Sequence, residues 1–148
     1  MASISTATVA PATTRRKARL LTVGGAVLAA LVVWGFAKLA LGDLRQPAFG
    51  SARPQHLSAG LVVVAGLIGS LLGWALLALL ERFTSRSRQI WAIAAPLTLL
   101  ASLAAPLSGH GIGGGNRLAL LLMHLAVGGM LIPFLYRSSN SGDQRERG

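Results

Sequence analysis

Four runs of apolar residues, each close to the length needed to cross a lipid bilayer, account for most of this chain and leave little sequence for anything else. They cover residues 20–41, 57–80, 90–107 and 118–136. A hydrocarbon core of about 30 Å needs about 20 helical residues at a rise of about 1.5 Å each. Lys38 is the single Lys, Arg, Asp or Glu within the four runs, so a soluble bundle built from them would have no polar face to turn to water. The pattern predicts an all-α protein, a four-helix transmembrane bundle.

Charge then orients the bundle. The formal net charge of +10 would point to nucleic acid in a soluble protein, but here it sits at the ends of the runs. Arg15, Arg16, Lys17, Arg19, Arg82, Arg86, Arg88, Arg137, Arg145 and Arg147 fall on one side, against Arg45, Arg53 and Arg117 on the other. Under the positive-inside rule the richer side is cytoplasmic, which places both termini in the cytoplasm. The same clusters meet anionic headgroups of the bilayer, and no nucleic-acid partner is expected.

Residues 1–19 read as a disordered basic arm, residues 20–136 as the membrane domain, and residues 137–148 as a disordered tail. The first run exceeds the 7 to 15 residues of a signal-peptide core and no A-x-A site follows it, so it reads as a retained helix. On the outer side, residues 42–56 form the only loop with room for a binding surface. Residues 108–116 (SGHGIGGGN) read as a flexible, glycine-rich linker that lets the second hairpin turn.

Helices associate in lipid by close approach at small residues, and the second run offers Ala65, Gly69 and Gly73 at four-residue spacing. That row is the expected helix-packing face, within one chain or between two. Ala94, Thr98 and Ser102 repeat the spacing in the third run. Trp91, Phe83 and Tyr136 read as markers of the cytoplasmic boundary, and Lys38 as a snorkelling residue at the outer one.

His124 is the ionisable residue that lies deepest in a run without a stem long enough to snorkel. An intramembrane ionisable group is a functional hypothesis by default. Its depth, roughly 9 Å below the outer end of the fourth helix, matches that of Ser102, roughly 7 to 8 Å below the outer end of the third. Pro106 has no N–H to give the Ser102 carbonyl. Ser102 and His124 are therefore the candidate intramembrane polar contact, a clasp in which the imidazole donates to the freed carbonyl or to the hydroxyl. The other reading is a histidine that relays protons or binds a ligand.

Ser102-Leu103-Ala104-Ala105-Pro106-Leu107 and Met123-His124-Leu125 match S-x-x-x-P-L and M-H-L motifs. In these, and in Gly42-Asp43-Leu44 and Trp91, the chain resembles a bacterial family of small four-helix integral membrane proteins of unknown function. The resemblance spans about residues 15–137. It implies a plasma-membrane protein and supplies no activity.

Among function classes, an enzyme is poorly served. The chain has no cysteine, its four acids (Asp43, Glu81, Asp143 and Glu146) all lie outside the runs, and no Ser/His/Asp set exists, so no catalytic residue is assigned. His56, His110 and His124 have no second ligand spaced beside them, so neither metal nor cofactor is expected. A structural or interaction component of the membrane, with the lipid bilayer and either a second copy or another membrane protein as partners, needs only what the sequence has. A small transporter working through His124 is the alternative.

Overall fold

A computed structural model describes residues 12–47 and 53–139. It consists of four helices, α1 (Ala12–Leu41), α2 (Ala59–Phe83), α3 (Ser87–Ser108) and α4 (Gly114–Ser138). Between α1 and α2, two-residue strands β1 (Arg45–Gln46) and β2 (Gln55–His56) pair antiparallel. All four helices are long and apolar enough to cross a membrane. The chain is thus an all-α, multi-pass membrane protein, as its apolar runs predict.

The helices extend beyond those runs. Residues 12–19, expected as part of a disordered arm, form the first turns of α1. Arg, Lys and Ala are strong helix formers, and Arg19 is tied into the bundle. At the other terminus α4 continues through Arg137 to Ser138, two residues into the expected tail. Residues 1–11 and 140–148 lie outside the described residues, so the expected disorder there has no structural counterpart.

The glycine-rich segment is also more ordered than a linker. Gly114 and Gly115 lie in the first turn of α4, and the Arg117 guanidinium donates to the Gly109 carbonyl at 3.0 Å. A Cβ on Gly115 would stand 2.9 Å from Leu41, so the glycine there lets α4 approach the end of α1. Gly42, with φ of +76°, ends α1 in the left-handed conformation that glycine adopts without steric cost. Its N–H donates to the Lys38 carbonyl, and the following hairpin buries Leu44 against the bundle.

Helix α1 sits centrally against α4 and α2, and α3 leans on α4. Its packing face is the row Val23, Ala26, Val27 and Ala30, spaced to fall on one side of a helix. On α2 the buried residues are Val62, Gly66, Ser70 and Leu77. Of the two uses expected for the row Ala65, Gly69 and Gly73, packing within one chain is not made: Ala65 and Gly69 are exposed, and a Cβ on Gly69 would meet nothing within 4 Å, which leaves the row free for a contact outside the chain. The two rows are one residue apart and differ by about 100° around the helix. Docking α1 on Gly66, where a Cβ would lie 3.3 Å from Val27, turns the other row away. A Cβ on Gly73 would meet only the rim of Trp91, at 3.7 Å.

Trp91 is likewise not a boundary marker. It is 3% exposed, packs in the core with Leu77, Ala95 and Leu135, and its indole N–H points at the Ile132 carbonyl at 3.5 Å. Phe83 is exposed, and the Tyr136 ring carries the Arg88 guanidinium 4.2 Å from its centre. Lys38 lies exposed near the end of α1, its ammonium 5.1 Å from the Trp34 ring, a geometry that suits a snorkelling stem.

Candidate functional site

Helices α2 and α3 are joined by a short turn yet splay apart, and the space between them is a cleft of about 590 Å³. The displaced row Ala65, Gly69 and Gly73 forms one wall. Because glycine and alanine project so little, that wall is recessed and the cleft stays open. The opposite wall is α3, with Thr98 and Ser102 facing in, and the floor is α4, with Met123, His124 and Gly128. Both rims are exposed, so the opening faces the side of the bundle, where lipid would lie.

The floor is firm where it needs to be. Gly128 is buried, and a Cβ on it would stand 2.5 Å from the Leu99 side chain, so a larger residue there would have to displace that side chain. Pro106, also buried, lies near the C-terminal end of α3 and leaves the Ser102 carbonyl without its helical donor. At one end the cleft is lined by Gln46 and Pro47, which follow α1. The far end reaches Trp91.

Ser102 and His124 both line this cleft, but the clasp expected between them is replaced by bonds each makes within its own helix. Nδ1 of His124 lies 2.8 Å from the Leu120 carbonyl, and the Ser102 hydroxyl donates to the Leu99 carbonyl at 2.7 Å. The spread of α2 from α3 leaves room for both side chains to fold back to the nearest helical carbonyl, which costs less order than spanning two helices. A carbonyl oxygen only accepts, so Nδ1 carries the proton and a neutral ring presents Nε2 as a bare acceptor. Among the described residues no donor reaches that nitrogen. The depth match between Ser102 and His124 marks a shared cavity wall.

A second polar cluster went unread in the sequence. At the end of the bundle that holds the start of α1 and the ends of α2 and α4, the Arg19 guanidinium meets Glu81 at 2.7 Å and Ser138 at 3.3 Å. Arg19 is 8% exposed although it belongs to a basic cluster. The signal was present in the chain, since Glu81 directly follows the second apolar run, at the end with the basic excess. The opposite end of the bundle holds a looser pair, Asp43 and His56, at 3.7 Å and well exposed.

The chain matches the family of unknown function DUF6069 over residues 10–141, and it belongs to that family. No curated protein and no solved structure matches it.

Proposed function

Starting from a family whose description assigns no activity, we propose that this protein is a non-enzymatic component of the bacterial plasma membrane that holds another membrane-embedded molecule in the cleft between α2 and α3. The observation that carries this reading is the cleft itself. Four helices of this length have enough small residues to close on one another, as α1 does on Gly66, yet the equivalent row on α2 is left lining an open space. The walls are apolar apart from a few hydroxyls, one glutamine and one imidazole, which suits retention of a lipophilic guest better than passage of an ion. The excess of basic residues at the end carrying both termini supports a cytoplasmic location for them.

The reading is tested by native mass spectrometry of the protein released from nanodiscs, comparing wild type with Gly69→Leu, a substitution that fills the cleft from its recessed wall. Wild type is expected to retain a bound species that the variant lacks. Wild type released bare, with the same spectrum as the variant, overturns the reading.

A further inference from the structure

The length and volume of the cleft suit a small lipophilic guest. Along α2 it runs from Leu61 to Leu76, and along α3 from Trp91 to Pro106, fifteen residue steps in each case. At about 1.5 Å per residue both give a length of about 22 Å. A volume of about 590 Å³ falls within the range of small-molecule pockets, about 300–1,000 Å³, and over about 22 Å it makes a long bore that suits one lipophilic molecule.

An ordinary acyl chain would fill that bore but would leave its polar wall unanswered. Nε2 of His124 is a bare acceptor, the Ser102 carbonyl lacks its helical donor because of Pro106, and the Ser102 hydroxyl has already given its proton to Leu99. A polar group left without a partner in hydrocarbon is costly, and a methylene offers it nothing. The missing element is a donor at the depth of His124. A cationic donor is disfavoured, since no carboxylate lines the cleft and Glu81 is engaged by Arg19 at the bundle end. A neutral hydroxyl meets both requirements.

We propose that the cleft is a binding site for one lipophilic alcohol or phenol, its hydrocarbon part extended between α2 and α3 toward Trp91 and its hydroxyl donating to Nε2 of His124. This rests on the reading that the cleft holds a membrane-embedded guest, and adds the class of that guest and the residue that selects it. Gly69 and Gly73 keep the bore open, and Thr98, one turn deeper than Ser102, offers the hydroxyl oxygen a second partner.

The test uses the full chain in nanodiscs with Trp34→Phe and Trp74→Phe, so that Trp91 at the deep end of the cleft is the remaining tryptophan. A long-chain 1-alkanol brominated at its far end is compared with its methyl ether, which has the same chain and no donor. The alcohol is expected to quench Trp91 saturably, with an apparent affinity three- to tenfold above that of the ether, the range one neutral hydrogen bond gives. His124→Leu is expected to erase that difference, and Gly69→Leu to remove saturable quenching by either. Equal affinities for alcohol and ether in the wild-type cleft overturn the hydroxyl assignment while leaving a chain-binding cleft. Absence of saturable quenching, with a protein found as the retained species in the nanodisc spectra, overturns the chain and leaves the cleft as a protein-binding one. Absence of both overturns the two readings together.

Discussion

Arg19 on α1 and Glu81 on α2 approach to 2.7 Å at the end of the bundle where α1 begins, with the arginine side chain 9% exposed and the glutamate 28%. The pair joins two helices through groups that are costly to leave alone in a membrane protein, and Ser138 adds α4 to the same knot.

Glu81→Gln is therefore expected to lower stability by about 1–3 kcal/mol, between the small value of exposed pairs and the larger one of buried pairs. The double variant Arg19→Leu, Glu81→Leu is expected to lose less than Glu81→Gln alone, because it leaves no buried guanidinium unpaired. Thermal unfolding of the three proteins in one detergent checks this. A single variant as stable as wild type would mean the contact contributes nothing.

The two glycine rows of α2 give opposite expectations. Gly66→Leu forces atoms into Val27, which is already at contact distance, and is expected to cost about 1–3 kcal/mol by overpacking. Gly69→Leu meets open space and is expected to be neutral or to gain up to about 1 kcal/mol from better helix propensity. Unfolding of both variants in detergent separates the rows. Equal losses at the two positions would restore Ala65, Gly69 and Gly73 as a packing face.

Those rows also show what was legible in the chain. Number, length and type of the helices follow from hydropathy alone, because lipid admits few other structures. Which small-residue row faces a neighbour does not, since Gly66 and Gly69 are equally small and the choice is made by where α1 docks. The same holds at the candidate site. The depths of Ser102 and His124 were readable from residue counts and do bring both to one cavity. Rotation was not readable, and each side chain turned to its own helix. The burial of Trp91 was hidden for a related reason: its place near the start of α3 matches an interfacial belt, while its azimuth points it into the core.

Side of the membrane is open to direct measurement because the chain has no cysteine. Ser85→Cys lies in the turn between α2 and α3, and Arg45→Cys in the hairpin at the other end. With both termini cytoplasmic, a membrane-impermeant maleimide added to intact cells labels Arg45→Cys and reaches Ser85→Cys only after lysis. The reverse pattern would turn the protein over and defeat the charge argument.

His124 gives the sharpest contrast between a clasp and a ligand-facing residue. If it fastened α4 to α3, its removal would loosen the bundle. Its observed bond goes to Leu120 one turn earlier in the same helix, where the carbonyl is already served by the helical ladder. His124→Leu is therefore expected to change stability by less than about 1 kcal/mol, and the leucine adds apolar surface to a wall that is mostly apolar. Unfolding measured in detergent stripped of lipid isolates this from any guest. A loss well above 1 kcal/mol there would mean that the imidazole holds helices together, whereas a near-neutral variant leaves the acceptor on Nε2 with no structural duty and a cleft to serve.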